Sequence, residues 1–356
     1  MELKIIKAGM FTSVQDLGRW GHQADGVPVA GAMDLEALRF GNVMLGNAES
    51  AAALEVTIIG PEIAVSGEGL VVFSGADLGF CVNGEEYGSW TVAALREGDV
   101  LSFTAPKSGC RGYLCFGGGI DVPVVMGSRS TYTRAKIGGY QGRALIAGDT
   151  LKTGEQRPAW RKLADFILPL ELRPNYSADK PLKILTGLQE EAFTKEGVET
   201  LFSSDYTVST ETDRMGTRFE GPKIKHGERG ADIVSDGIPM GAVQIPGHGM
   251  PISMMADRQT TGGYTKIGVL TPASIQALAQ RMPGTKVRFK KATMEEAIAE
   301  LRHTRDATEK IARLRASAIA AYKPAAPLSA REQVKYRHFK LTVEGKTHDI
   351  AIEELE

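Results

Sequence analysis

The stretch LEVTIIGPEIAVSG, residues 54–67, sets two short runs rich in Val and Ile on either side of a Gly60-Pro61 break. Apolar runs of this length, ended by Gly, Pro or Asp, read as strands joined by tight turns. The pattern extends outward in both directions. GLVVFSGAD (69–77), GYLCFGGGIDVP (112–123), RALIAGDTL (143–151) and LKILTG (182–187) have the same build. Many such strands at short spacing argue for barrels or sandwiches. Helical periodicity is scarce before residue 270. Two segments interrupt the strands. MDLEALRFGNVMLG (33–46) places Leu35, Leu38, Val43 and Leu45 near one face and has a stop at Gly46. TPASIQALAQRMPG (271–284) opens on Pro272 and closes at Pro283-Gly284.

A chain of 356 residues is long enough for two domains of ordinary size. Its 42% apolar and 24% charged residues are those of a soluble globular protein. A formal net charge of −1 offers no broad positive field for nucleic acid. No run reaches about 18 apolar residues, so no transmembrane helix and no membrane role are expected. The start lacks the apolar core and cleavage site of a signal peptide. Cys81, Cys110 and Cys115 have no metal-ligand spacing and read as buried thiols of a cytoplasmic protein.

TGEQRPAWRK and LRPNYSADKP are polar and Pro-bearing, which places a linker at 156–180 between a first domain, 1–155, and a second, 181–292. No clean internal repeat relates the two. From 293 the style changes. TMEEAIAELRHTRDATEKIARLRASAIAAYK has no Gly or Pro, and Thr293 with Glu296 fits a capping box. Its apolar stripe is thin, so 293–323 is expected to be a surface or interface helix. PAAPLSA (324–330) reads as a linker. HFKLTVEGKTHDIAIEEL (338–355) reads as a hairpin within 324–356, and a lone hairpin is barely stable in water.

Four polar clusters carry the candidate chemistry. SVQDLGRWGHQADGVPVAGAMD (13–34) holds Gln15, Asp16, Arg19 and His22 among glycines; a long loop with an Asp-capped turn has the same look. In STETDRMGTRFEGP (209–222), Arg214 and Arg218 offer forks for a carboxylate or phosphate, and an internal ion pair with Asp213 is the alternative. SDGIPMGAVQIPGHGMP (235–251) carries Gln244 and His248, the latter a base or simply a turn residue. ADRQTTGGYTKIG (256–268) crowds Asp257, Gln259, Thr260, Thr261, Gly262, Gly263, Tyr264 and Lys266 together. Its Gly-Gly is a candidate nest of N–H groups for an anion, or part of a hairpin turn. No nucleotide-binding, zinc or Ser-hydrolase motif is present, and no metal site is expected.

Taken together, TSVQDLGRWG, GVPVAGAMD, LEVTIIGP, RSTYTRAKIGGYQGRALIAGD, VSTETDRMGTRFEGP, SDGIPMGAVQIPGHGMPI and ADRQTTGGYTKI resemble the family called allophanate hydrolase subunit 2, or biotin-dependent carboxyltransferase subdomains A and B. They run in family order over roughly residues 3–292. The resemblance implies a mainly β chain of two cyclophilin-like β-barrel domains, here with a C-terminal helix and β-hairpin extension. It implies either the C subunit of an ATP-dependent 5-oxoprolinase or part of a biotin-dependent carboxyltransferase, acting on a small amide, ureido or lactam substrate. A subunit-1 protein would complete the site. A LamB/YcsF-type protein, or a biotin carboxylase and biotin carrier, would join them. No cofactor is expected to be covalently bound; ATP or carboxybiotin would be supplied through the complex. Asp257, Gln259, Lys266 and Arg214 are the residues the resemblance marks as catalytic. Gln15, Asp16, Gln244, Thr260, Thr261, Gly262, Gly263 and Tyr264 are those it marks as substrate-binding. Ala substitution of Lys266 or Asp257 is expected to abolish activity while leaving the fold intact. A regulatory module that antagonises a partner, such as a kinase inhibitor, is the other reading.

The chain departs from the family pattern at three places. Gly187-Leu188-Gln189 stands for Gly-Pro-Gln, Asp236 for a Glu, and His248 for an acidic residue. Its tail resembles the first strands of a biotin-carrier domain without the biotinylated Met-Lys-Met motif.

Overall fold

The computed structural model describes residues 1–156, 160–176, 180–187 and 189–322, together with the backbone of 336–343 and 346–353. The 54–67 stretch does what its break implies. Ala53–Thr57 joins a five-stranded sheet and Glu62–Ser66 joins a seven-stranded one. Leu54, Val56, Ile63 and Val65 from the two runs are all buried in one core between the sheets. Burying each such side chain contributes about 1.5–3 kcal/mol. Gly60 is needed at the crossing, because a Cβ there would lie 2.2 Å from the Phe103 ring.

The five-stranded sheet runs Phe11–Gln15, Ala53–Thr57, Ser108–Phe116, Gly69–Asp77, Val92–Leu95, antiparallel throughout. In the second half, seven strands close a barrel in the order 182–186, 266–270, 242–244, 252–254, 216–220, 205–208 and 286–291. The last strand returns parallel to the first, with Leu182 opposite Phe289. Tyr206, Phe219, Val243 and Phe289 fill this second core. Outside the barrel, Asp232–Gly237 and Thr261–Tyr264 pair as a separate two-stranded sheet.

Four helices lie among the described residues. Helix α1, Leu35–Leu45, is capped by Asp34, whose Oδ1 accepts the Ala37 N–H at 3.0 Å, and it stops at Gly46 in the left-handed region. Helix α2, Lys195–Ser203, is not legible in the sequence. It is nine residues long with a glycine inside, and Thr194 caps it through the Gly197 N–H. Helix α3 is Pro272–Ala279. Helix α4, Met294–Ala321, opens on the expected capping box: the Thr293 N–H donates to Glu296 at 3.0 Å and the Glu296 N–H to Thr293 Oγ1 at 3.3 Å. Ala307 and Ile311 bury against the core under α1. Thr304 Oγ1 donates to Glu36 at 2.9 Å, and Arg315 donates to the Val43 carbonyl at 2.6 Å. Burial against α4 pushes the Glu36 carboxyl up from 4.5 to about 7, and neighbouring Asp34 adds to the rise.

Contacts join Met1–Ile319 into one compact unit, with Ala320–Glu356 a second. Within the region read as a linker, Leu163 and Leu168 pack into the core beneath α1; residues 157–159 and 177–179 lie outside the described residues. In the tail, Tyr336–Val343 pairs antiparallel with Lys346–Glu353, Val343 facing Lys346. The stretch 324–330 and the Glu344-Gly345 turn lie outside the described residues. All three cysteines are free and buried. Burial raises the thiols of Cys81 and Cys110 and pushes that of Cys115 up to about 12.

Candidate functional site

Two polar patches form from the four clusters. The first lies where the halves meet. Arg214 sits in the turn before the strand Gly216–Glu220. Its Nε and Nη2 reach the two Asp257 oxygens at 3.1 and 2.9 Å. Its Nη1 donates to Glu55 on Ala53–Thr57, and Nη2 also donates to the Gly31 carbonyl at 2.6 Å. The second Glu55 oxygen accepts from the Met33 N–H and the Tyr113 hydroxyl, each at 2.8 Å. Arg214, Asp257 and Glu55 are all buried. For Arg214, burial works against the charge; the Asp257 and Glu55 carboxylates overcome it and hold the guanidinium above its ordinary value. Burial raises the Asp257 carboxyl, while Arg214 draws it down.

Nearby, Gln280 locks the halves a second time. Its Oε1 accepts the Cys110 and Arg111 N–H groups at 3.0 Å, and its Nε2 donates to Asp34 at 2.7 Å and to the Arg111 carbonyl at 2.9 Å. A cleft of about 300 Å³ opens beside Arg214 and Asp257.

The first cluster backs this seam from within. Asp16 accepts from Gly18 N at 2.8 Å, Ser128 Oγ at 2.7 Å, Arg129 N at 2.6 Å and the Ser130 hydroxyl. Its oxygens are consumed in tying the Gly-rich loop to 128–130, which is the capped-turn alternative rather than a ligand contact. Gln15 donates to Ser13 Oγ at 2.9 Å and the Thr131 carbonyl at 3.2 Å, while its buried Oε1 has no partner.

The second patch surrounds the 232–237/261–264 strand pair. Lys266 Nζ meets Asp236 Oδ2 at 2.9 Å. Gln189 bridges the two, accepting the Lys266 N–H at 2.8 Å and donating to Asp236 at 3.3 Å. Lys266 holds the Asp236 carboxyl below its ordinary value. Gln244 is buried and its Nε2 has no partner. Gly262 lies close under this group: a Cβ would come within 2.6 Å of Ile238 Cδ1 and 3.0 Å of Gln244 Nε2, with Gln259 Nε2 at 3.4 Å, so these side-chain ends would have to shift. Thr261 and Tyr264 are exposed, Thr260 and Gly263 half-buried. The Thr260 carbonyl accepts the Ile238 N–H at 3.0 Å, tying the strand pair to the segment that leads from Asp257.

Several expectations change. Gly262-Gly263 is not an anion nest, because both lie in an extended strand without the left-handed φ a nest needs. For the expectation that Asp257→Ala leaves the fold intact, Asp257 is part of a buried ion pair, and its removal would leave Arg214 with Glu55 and the Gly31 carbonyl alone. His248 is exposed, and its Nδ1 accepts the Met250 N–H at 3.0 Å, a turn residue's role. Arg218 is exposed on the strand Gly216–Glu220. Glu55, Arg111 and Gln189 join the site only through the structure. For Glu55 the sequence does hold a signal, a lone charge inside the apolar run LEVTII. Leu188, the departure from Gly-Pro-Gln, lies outside the described residues.

The sequence model of the carboxyltransferase domain, subdomain A and B, matches residues 25–291. The chain belongs to that carboxyltransferase family. It is 34% identical over 305 residues to the C subunit of 5-oxoprolinase from Haemophilus influenzae, covering 83% of this chain and 93% of that protein. Among solved structures, the urea amidolyase of K. lactis superposes with a TM-score of 0.80 at 28% identity, over 87% of this chain and 20% of that one. The urea carboxylase of Kluyveromyces lactis gives a TM-score of 0.77 at 26% identity, over 99% of this chain and 32% of that one. This carboxyltransferase chain therefore spans a third or less of those two larger chains and nearly all of the bacterial protein. Among the described residues no helix is long and apolar enough to cross a membrane, and no group of acidic, His and Cys side chains is placed to hold a metal.

Proposed function

We propose that this chain supplies half of a composite active site in a multi-subunit enzyme that acts on a small amide, ureido or lactam substrate. The carrying observation is the Lys266–Asp236–Gln189 cluster beside the buried Gln244, whose Nε2 is still unpartnered. Such donors hold a substrate oxygen while negative charge develops on it. Lys266 gives a movable ammonium, Asp236 positions it, and Gln259 and Gln244 aim neutral N–H groups. A subunit-1 partner would cover this cluster and exclude water. Catalytic standing goes to Lys266 and Gln259. Asp257 and Arg214 serve as positioning residues that hold the segment 257–261.

ATP-dependent opening of 5-oxoproline to glutamate is the first reaction, supported by the match to nearly the full length of a bacterial 5-oxoprolinase component. Biotin-dependent carboxyl transfer is the second, supported by the 99% coverage of this chain, tail included, by a urea carboxylase. ATP would supply the driving force in one and carboxybiotin the CO₂ in the other. Both routes present an oxygen acceptor, which fits the unpartnered Gln244 amide.

The test is co-expression with the subunit-1 protein, addition of a LamB/YcsF-type protein, ATP and 5-oxoproline, and measurement of glutamate release. Glutamate that depends on this chain and is lost in Lys266→Ala supports the first reaction. A stable complex that makes none, yet carboxylates urea with biotin carboxylase and carrier, supports the second. A stable complex inert in both assays leaves the regulatory module as the answer.

A further inference from the structure

Arg111 and Arg214 both line the 300 Å³ cleft at the seam, and both are buried. Arg214 meets two carboxylates and a carbonyl. Arg111 meets no acid. Its Nη1 donates to the Ala279 carbonyl at 2.5 Å and lies 3.7 Å from Cys110 Sγ. Its Nε is buried without a partner, and among the described residues nothing accepts from Nη2 either. The Nε–Nη2 edge is the side of a guanidinium that grips both oxygens of a carboxylate in parallel hydrogen bonds. Leaving a buried donor unmet costs about 1–3 kcal/mol, so a ligand oxygen that displaced the packing around Nε would recover that cost.

The floor beneath is regular. Phe11, Thr57 and Arg111 lie opposite one another across three neighbouring strands, Phe11 facing Thr57 and Thr57 facing Arg111. Paired residues project to the same face of a sheet. An aromatic ring, a hydroxyl and a cation therefore stand in one row. Across the cleft, Arg134 carries a second, exposed cation, held only loosely by Asp213 at 3.9 Å. A volume of about 300 Å³ is the lower end of small-molecule pockets.

We propose that this cleft binds a small-molecule carboxylate, with the Nε–Nη2 edge of Arg111 taking both oxygens, Phe11 covering the apolar body and Arg134 drawing the anion in. The site is separate from the Lys266 cluster and does not depend on which reaction that cluster serves.

The experiment is titration calorimetry on the full chain with L-5-oxoproline, acetate and inorganic phosphate as probes, repeated on Arg111→Lys and Arg134→Ala. Lysine keeps the charge and can still reach the Ala279 carbonyl but loses the fork. The expected result is carboxylate binding that weakens about tenfold or more in R111K and a few-fold in R134A, with phosphate a poor competitor. Phosphate binding as tightly as the carboxylates overturns the carboxylate class. Unchanged affinity in a folded R111K, or no binding of any probe to the wild-type chain, overturns the site. R134A, an exposed change, keeps the test alive should R111K fold poorly: R134A binding identical to wild type at low salt counts against the cleft. The two readings fail separately. Unaltered carboxylate affinity in folded R111K removes the carboxylate site and spares the enzyme assignment; carboxylate binding without turnover in any complex does the reverse.

Discussion

At the seam, Arg214 is buried and every arm of its guanidinium is met by protein: two carboxylates and a carbonyl. At the 232–237/261–264 strand pair, Lys266 meets one exposed carboxylate and the neighbouring Gln244 amide is unmet. The same kinds of side chain thus do opposite things. Charges that are buried and fully satisfied hold two halves of a chain in register. A charge whose one carboxylate partner is exposed, as Asp236 is, is free to exchange that partner, which is what a substrate requires. Both patches come from sequence clusters that look alike on paper, and the burial of the carboxylate partners separates them.

The sharpest way to break this contrast is Arg214→Ala. It leaves Glu55 and Asp257 buried without their partner and is expected to cost about 3–5 kcal/mol, read by chemical denaturation. A loss below about 1 kcal/mol would show that the seam is not held by this ion pair. Gln280→Leu comes next. It strands the Cys110 and Arg111 N–H groups and one Asp34 oxygen, for an expected loss of about 2–3 kcal/mol in the same measurement. A third test uses pH. Glu36 keeps its proton in the folded state up to about 7 but would lose it near 4.5 when unfolded. Stability from this group is complete below about 4.5 and is lost as pH rises through about 7. The wild-type unfolding midpoint should fall across that window, and Glu36→Gln should flatten the fall; an identical slope in both proteins removes Glu36 as its source. The smallest stability effect is expected for Lys266→Ala, within about 2 degrees of the wild-type midpoint, because the Asp236 carboxylate it leaves behind is exposed to water. Its effect on turnover in the assembled complex should be complete. Unfolding of this variant would make the hairpin patch structural, like the seam.

Much of this is legible in the residues. The 54–67 stretch announces two strands and a crossing, and α1, α3 and the capping box of α4 are readable because caps and stops are local chemistry. Helix α2 escapes because nine residues with Gly197 inside carry too weak a period. The site is legible as a set of clusters but not as a geometry. Nothing in SVQDLG says that Asp16 will be consumed by Ser128, Arg129 and Ser130, more than a hundred positions away. Nor does GCRGYLCF say that Arg111 will lack an acid. Those facts depend on which distant strands become neighbours, and single-sequence periodicity does not carry that.

The three buried thiols give the folded chain a clock for its own breathing. A thiol reagent can attack only a thiolate that solvent reaches, and none of the three offers one in the native state. Labelling of Cys110 therefore times how often the seam opens, while Cys81 and Cys115 time the sheet edge and the floor beneath α1. Mass spectrometry of a slow labelling reaction would rank those openings one cysteine at a time, without altering a single residue.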